Sequence, residues 1–344
     1  MAETSGEIGI IDRPHIPRAG DPGLDRYKEW WHFNVIDDRS GLDLIINFSI
    51  SGDVRTPASG EANLVVLATS QEFGWRGGID QHDGLAARID PRRLDISVAG
   101  SSVAFSEGAF RLNLATRHEL AVSMILFPET EPLVVWKDTR LGSGHINWMI
   151  IPSLRAEGTL VIDDRLHRFS GARAYHDHNW GAWRWGENFG WDWGFCSAAL
   201  LADGQPISFV YDRTTDRIGS STLEHSLMLW RGRDLAKFFS RRMLRVRRNG
   251  WFRGPIRRLP GVAHLVDARS VASIPARLEI VADDGSDRLE ATYIPDTAVQ
   301  LALARETGDG LITLNETMGW LTLSGQIGGV ALTVTRRACF EFVA

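Results

Sequence analysis

Short apolar or alternating runs, separated by turn residues, make up most of the chain. Alternation of apolar and polar positions is typical of strands whose two faces lie in different surroundings. The runs in the first half span 42–50, 62–69, 93–98, 109–115, 120–127, 133–136, 158–163 and 166–170. Those in the second half span 194–201, 206–211, 223–230, 276–282, 288–294, 311–316, 319–324 and 330–336. The pattern predicts an all-β protein built from barrels or sandwiches.

Turn residues between the runs support this prediction. Asp163-Asp164-Arg165 separates two of the runs and is a good hairpin signal. The acidic and glycine-containing segments 202–205 and 283–286 predict two more turns. Residues 1–25 are broken by prolines and glycines without a periodic pattern, so we expect an ordered arm or a loose tail there.

One segment departs from the β pattern. Residues 231–258 contain eleven basic residues and one acid, Asp234, which gives this stretch a charge of +10. Leu235, Phe239 and Val246 can share one face of a helix, so we expect a short basic helical insertion. Such a helix can contact an anionic membrane or ligand. The alternative is a solvated insertion that pairs with the acidic surface of the protein itself.

Composition and charge exclude several classes of protein. The 344 residues are 44% hydrophobic and 24% charged, and the net charge of −5 argues against a nucleic-acid-binding protein. Cys196 and Cys339 are too few for a disulfide framework and fit reduced thiols. The first residues lack the segments of a secretory signal, and every apolar run is too short to cross a membrane. We therefore expect a cytoplasmic protein that rests at most on a membrane surface.

Two clusters mix aromatic with acid–base side chains. The first, at 27–34, reads YKEWWHFN, and the second, at 175–181, reads YHDHNWG. If the second cluster is a strand, Tyr175, Asp177 and Asn179 share one face, while His176 and His178 share the other. A folded core does not require this mixture, because each buried polar group must find a partner.

Three chemistries fit these clusters. A carboxyl walled by indole rings is desolvated, so its pKa rises and it can protonate an alkene, whose carbocation the rings then stabilise. Alternatively, His176 and His178 could hold a metal with a third ligand such as His32 or His145. The aromatic residues could also line a passive binding pocket. A purely structural role is a further alternative, since ion-pair and turn carboxylates outnumber catalytic ones.

Sequence motifs of the common nucleotide-binding and hydrolase families are absent.

The two clusters together resemble a known family. Read as Y-x-E-W-W-x-x-N and Y-H-D-H-N-W-G, they are similar to motifs of the carotenoid 1,2-hydratase (hydroxyneurosporene synthase) and AttH-like superfamily. The resemblance implies two tandem lipocalin-like β-barrel domains with a site in the apolar interior near their junction. It also implies an enzyme that needs no external cofactor. We expect an N-terminal domain at 1–186, which carries both motifs, and a C-terminal domain at 187–344, which carries the basic insertion.

The resemblance implies that Asp177 is the proton donor, with Tyr175 beside it. We expect His178 to hold or recharge this acid, although it would reach Asp177 only if the strand twists or bulges. The candidate substrate-binding residues are Trp30, His32, Asn147, Trp148 and Trp180. No cofactor or metal is expected, and the partner is an apolar isoprenoid or polyene.

The predicted function is a hydro-lyase or cyclase that protonates an alkene, after which water or a second alkene captures the carbocation. The alternatives are a Diels–Alderase-type cyclase that acts by shape without an acid, and a lipocalin-like carrier of an apolar ligand.

Overall fold

The alternation of apolar and polar residues along the chain produces a structure dominated by antiparallel strands. The computed structural model describes residues 2–56, 59–259 and 273–344. It divides into two compact units, Met1–Arg184 and Trp185–Ala344, beside the boundary expected between residues 186 and 187. Each unit carries one large sheet, so the predicted all-β class is confirmed.

The first unit contains one α-helix and twelve strands in its described residues. These are α1 Ala2–Ile11, β1 Tyr27–Asp37, β2 Leu42–Gly52, β3 Gly60–Ser70, β4 Gly74–Asp83, β5 Ala87–Ile89, β6 Asp95–Val98, β7 Ser101–Ser106, β8 Ala109–Ala115, β9 Leu120–Pro128, β10 Leu133–Leu141, β11 Gly144–Ile162 and β12 Arg165–Ala182. Short 3-10 turns lie at Leu24–Arg26 and Gly84–Ala86. The strand order is β4-β3-β2-β1-β12-β11-β9-β8-β7-β6-β5, with β10 paired to β11.

The predicted hairpin turn at Asp163-Asp164 joins β11 to β12. Both residues have positive φ, 48° and 63°, as a two-residue type I′ turn requires. The two strands that this turn connects are much longer than the short apolar runs that flank it in the sequence. The second motif therefore lies on β12, the strand that follows the turn, and β12 pairs with β11 on one side and with β1 on the other.

The second unit contains ten strands in its described residues. These are β13 Gly190–Leu200, β14 Pro206–Thr215, β15 Thr222–Arg231, β16 Asp234–Ser240, β17 Leu244–Trp251, β18 Ile256–Leu259, β19 Pro275–Asp283, β20 Arg288–Ala304, β21 Leu311–Ile327 and β22 Val330–Val343. A 3-10 turn lies at Arg241–Met243. The strand order is β16-β15-β14-β13-β22-β21-β20-β19-β17, and β18 pairs in parallel with β20.

The basic segment 231–258 is not a helix, so that prediction is wrong. Strands β16, β17 and β18 cover most of it. Along β17, Leu244 is buried and Val246 is half-buried, whereas Arg245 and Arg247 are exposed, so the period is that of a strand. The apolar residues that fit a helical face fit this alternation as well, and pairing of β17 with β19 selects the strand.

Several cations of this segment pair with acids of the same unit. Lys237 contacts Asp284 and Asp287, and the Arg241 guanidinium forms two hydrogen bonds with Glu224, of 2.7 and 2.9 Å. These contacts match the interpretation in which the segment pairs with the protein's own acidic surface. Contact with an anionic membrane stays a prediction. Within the described residues, no helix is long and apolar enough to span a membrane.

The N-terminal segment is an ordered arm, the first of the two alternatives expected from the sequence. Helix α1 ends at Ile11, and its Ile8 is fully buried within the hydrophobic core of the first unit. Asp12, the first residue after the helix, is fully buried. This segment therefore contributes buried side chains to the region of the two motifs.

Candidate active site

Pairing of β1 with β12 brings the two sequence motifs together. The strands run antiparallel without a register shift from Tyr27↔Ala182 to Ile36↔Arg173. Directly opposite residues in such a pair point to the same face. One face therefore carries the pairs Trp30↔Asn179, His32↔Asp177 and Asn34↔Tyr175. This face is opposite to the one that forms the hydrophobic core of the unit.

Asp177 lies at the centre of this face and is 4% exposed. The Tyr175 hydroxyl donates a hydrogen bond to Oδ2 at 3.1 Å, and the Asn179 amide Nδ2 donates one to Oδ1 at 2.9 Å. These two donors precede and follow Asp177 by two positions, so the strand period itself holds them on either side of the carboxyl. Asp177 is thus a buried carboxyl of fixed orientation.

His32 is the cross-strand neighbour of Asp177. It is 6% exposed, and its Nδ1 lies 3.4 Å from the Asn47 amide nitrogen on β2. Burial lowers the pKa of His32 to about 4, although its hydrogen bond with Asn34 opposes this. His32 is consequently a neutral imidazole at neutral pH, and it adds no positive charge beside the Asp177 carboxyl.

Two of the candidate indoles share the face of Asp177. Trp30 is partly buried and makes an edge-to-face contact with Trp183, with 5.4 Å between ring centroids. Trp148 on β11 pairs with Asn179, is 2% exposed and packs on Trp136 at 5.0 Å. Aromatic rings therefore lie on both strands that flank the carboxyl.

The other two candidate substrate-binding residues are placed differently. Asn147 accepts a hydrogen bond from the Asp138 backbone N–H at 2.8 Å and donates one to the Trp180 carbonyl at 3.3 Å. Its amide thus joins three segments of backbone. Trp180 points to the core face, where its ring stacks on His15 at 4.0 Å. The structure accordingly does not group Trp180 with Asp177.

His178 also lies on the core face, so its predicted role of holding Asp177 does not fit the structure. No bulge turns the strand at this position. His178 Nε2 is 2.8 Å from Glu29 Oε1, and Nδ1 is 3.0 Å from Asp12 Oδ1. Both ring nitrogens are therefore directed at carboxylates other than Asp177.

A buried charge network surrounds His178. The side chains of Asp12, Glu29, His176 and His178 have no exposed surface. Burial lowers the pKa of His178, but its hydrogen bonds to Asp12 and Glu29 outweigh burial and raise this pKa to about 9. Burial raises the pKa values of both carboxyls, but the histidines outweigh it and lower them. An imidazolium between two carboxylates results at neutral pH.

His176 and His178 do not form the metal pair that the sequence analysis left open as an alternative. His176 Nδ1 bonds to the His32 carbonyl at 2.9 Å, and Nε2 bonds to Asp12 at 3.1 Å. A different set, the donor atoms of His15, Glu29 and His178, lies within 4.8 Å of one another, but His178 already forms ion pairs with both carboxylates. The arrangement is that of an ion-pair network.

Sequence reasoning missed two members of this network, Asp12 and His15. It included Glu29 in the first motif but assigned no role to it. Glu29 lies in the first motif, and its Oε2 accepts a hydrogen bond from Tyr27 at 2.8 Å. Asp12 and His15 belong to the N-terminal segment, which lacks a periodic pattern. The available signal was the pair of histidines within an apolar strand, since buried imidazoles require partners.

The comparisons with known proteins show the fold. No family model and no curated protein matches the chain. A solved structure of a candidate AttH from Nitrosomonas europaea is similar at 17% identity, with a TM-score of 0.65 and 96% of each chain covered. Kievitone hydratase from Nectria haematococca aligns at 12% identity with a TM-score of 0.58, covering 96% of this chain and 94% of its own. CghA aligns at 13% identity with a TM-score of 0.61 and the same coverage. The chain therefore shares its fold with these proteins, which is the fold that the resemblance of its two motifs implies.

Proposed function

We propose that the protein is a cofactor-independent enzyme that protonates an alkene of an isoprenoid or polyene, with Asp177 as the general acid. The observation that carries this proposal is the buried Asp177 carboxyl, held by Tyr175 and Asn179 on a face with Trp30 and Trp148. A surface ion-pair carboxylate would need none of these features.

In the proposed reaction, the alkene π electrons take the proton of the Asp177 carboxyl and form a carbon–hydrogen bond. Asp177 becomes a carboxylate, and the adjacent carbon becomes a cation. In hydration, a water oxygen bonds to this carbon and its surplus proton returns to Asp177, so alkene and water give an alcohol. In cyclisation, a second alkene attacks the cation, and loss of a proton to Asp177 restores the acid.

Asp177's two hydrogen bonds support this role because they favour the state formed by proton transfer. The Tyr175 hydroxyl and the Asn179 amide are donors in place before reaction, and the charge on the oxygens they contact grows as the proton leaves. The indoles of Trp30 and Trp148 can stabilise the carbocation, at about 0.5–2 kcal/mol for each ring that faces it.

The structural comparisons support an enzyme of this kind. Kievitone hydratase, by its name, adds water to an organic substrate, and CghA has been solved with the small molecule Sch210972. The name of kievitone hydratase matches hydration, and cyclisation is the second reaction type that we propose from the sequence. The specific form of the proposal is a carotenoid-like hydro-lyase. We further propose a cytoplasmic location, as expected from the sequence.

The Asp177→Asn variant tests the proposal. Asn keeps the size of the side chain and cannot donate a carboxyl proton, so we expect turnover to fall by at least about 100-fold, the usual lower size of a general-acid contribution. Wild-type and variant proteins are incubated with a panel of polyenes in heavy-oxygen water, and products are analysed by mass spectrometry. Asp164→Asn, at the exposed hairpin turn, is the matched control and should keep the wild-type rate.

The outcomes separate the alternatives. Heavy oxygen in the product indicates hydration, and a product isomeric with the substrate indicates cyclisation. If Asp177→Asn makes the cyclised product at the wild-type rate, the protein acts by shape and Asp177 is not the acid. If both proteins bind the polyenes and no product forms, the protein is a carrier.

A further inference from the structure

A row of polar and aromatic side chains crosses the sheet of the second unit. Neighbouring strands pair Ser226 with Asp212, Asp212 with Trp193, Trp193 with Glu341, and Glu341 with Glu316. Because directly opposite residues share a face, all five side chains point the same way. Their face is opposite to the one that forms the hydrophobic core of this unit.

Asp212 is the most unusual member of the row. It is 2% exposed, and Ser226 Oγ donates a hydrogen bond to Oδ1. The other oxygen, Oδ2, is buried and has no hydrogen-bond partner within the described residues. Leaving a polar atom of this kind buried and unpaired costs about 1–3 kcal/mol. A stable fold gains nothing from this arrangement unless another molecule supplies the partner.

The opposite face of the same strands shows how this unit stabilises a buried acid. Asp192 lies 3.2 Å from Arg213 Nη1 and 3.6 Å from Arg248 Nη1, so two guanidinium groups offset its charge. Asp212 has no such ion pair within the described residues. The charged group that acts on it is Glu224, on the same strand as Ser226, and its charge opposes ionisation of Asp212.

A proton on Asp212 follows from this environment. Burial raises the pKa of Asp212 to about 7; the hydrogen bond from Ser226 opposes the rise, and Glu224 adds to it. Near neutral pH much of the carboxyl is therefore neutral. A neutral carboxylic acid can donate a hydrogen bond from the oxygen that carries its proton, and Oδ2 is the oxygen with no other partner.

Glu341, on the other side of Trp193, is a second carboxyl whose pKa is raised. Burial raises the pKa of Glu341, while hydrogen bonds from Trp191 and Glu316 oppose the rise. Its carboxyl accepts a hydrogen bond from Trp191 Nε1 and faces the carboxyl of Glu316 on the next strand. Burial thus raises the pKa of one carboxyl on each side of the Trp193 indole.

We propose that this face of the second unit binds a small molecule that has an apolar body and a carbonyl oxygen. The carbonyl oxygen accepts a hydrogen bond from Oδ2 of Asp212, and the apolar body lies against the Trp193 ring. Oδ2 requires an acceptor once it carries a proton, and a carbonyl is an uncharged acceptor that an apolar surface tolerates. The inference does not depend on the role of Asp177, since it holds for an enzyme and for a carrier alike.

The first measurement tests the protonated carboxyl without any ligand. Infrared difference spectra between acidic and alkaline pH should show a carboxylic-acid C=O band that titrates near the pKa of about 7 and is lost in Asp212→Asn. Asp203→Asn, at the exposed turn between β13 and β14, is the matched control and should keep the band. A band near pH 7 that is unchanged in Asp212→Asn overturns the proposal.

The second measurement tests the ligand. Geranylacetone and the hydrocarbon of the same skeleton without its oxygen are titrated into the full chain by calorimetry. We expect the ketone to bind about three- to tenfold more tightly at pH 6, as one buried hydrogen bond implies, and this preference to disappear at pH 9. Asp212→Asn keeps a donor, so its preference should persist at both pH values, whereas Asp212→Ala should bind the two probes equally.

Equal binding of both probes to the wild type, a preference kept by Asp212→Ala, or no binding of the ketone overturns the proposal. Thermal unfolding of each variant checks that the second unit is folded, and Ser226→Ala provides a second variant, which should keep the ketone preference and raise the pH at which it is lost. The ketone preference should also survive in Asp177→Asn, so failure of this inference is distinguishable from failure of the proposed function.

Discussion

Asp177 is oriented by residues only two positions away along its own strand. Strand alternation in the sequence places Tyr175, Asp177 and Asn179 on one face, and the structure adds the hydrogen bonds between them. The same alternation places His178 on the other face, where it meets Glu29 and Asp12. The sequence could not show these partners, because strand pairing and chain course, not local pattern, bring them to His178.

Tyr175→Phe should slow the reaction without removing the acid. The change deletes one hydrogen bond to the carboxylate formed in the transition state, so we expect kcat to fall about 10- to 100-fold, in keeping with a charge-assisted hydrogen bond of about 1.5–3 kcal/mol. The measurement is steady-state kinetics on the substrate that the polyene panel identifies. Tyr293→Phe is the matched control: its hydroxyl bonds to Thr317 in the second unit, so stability should fall while kcat is unchanged.

His32 should make the protein less stable in acid. Its pKa is about 4 in the folded state and about 6.5 when unfolded, so the unfolded chain binds the proton more readily between these values. Stability contributed by the neutral ring is present above pH 6.5 and is lost as the pH falls towards 4, by about 3 kcal/mol. Urea unfolding of His32→Gln should show a flatter dependence on pH in this window. An unchanged slope would contradict the assignment.

The N-terminal segment acts as one element with the sheet it covers. Helix α1 buries Ile8, and the residues that follow supply Asp12 to His176 and His178 and the His15 backbone N–H to Glu29, at 2.7 Å. Periodicity could not predict this element, because its buried Asp12 contacts His176, which lies 164 positions later in the chain. The helix prediction for the basic segment was wrong for a different reason: its apolar residues fit a helical period and a strand period equally well.

Asp12→Asn should loosen this segment in a pH-dependent way. The pKa of His178 is about 9 in the folded state, so its contribution to stability is complete below about pH 6.5 and is lost as the pH rises through 9. Removing one carboxylate of the network should cost about 3–5 kcal/mol at pH 6.5 and less at pH 10. Urea unfolding of both proteins at the two pH values measures the difference. An equal loss at both would show that the imidazolium contributes nothing.

At the scale of the whole molecule, two short motifs predicted the fold better than any single strand pattern. The alternating runs and the Asp163-Asp164 turn predicted the all-β class, and the resemblance of the motifs to the AttH-like superfamily predicted the fold that the solved structures confirm at 12–17% identity. Physical pattern alone could not give the strand order, because pairing such as β1 with β12 joins distant parts of the chain.

The central claim is that a proton moves from Asp177 to a carbon atom of the substrate. Turnover in heavy water measures this most directly, since Asp177 exchanges its proton with solvent and then delivers deuterium. The account predicts one carbon-bound deuterium in each molecule of hydrated or protonation-cyclised product made by the wild type, and formation of this product at least about 100-fold more slowly by Asp177→Asn. A product without carbon-bound deuterium, formed equally well by both proteins, would contradict it.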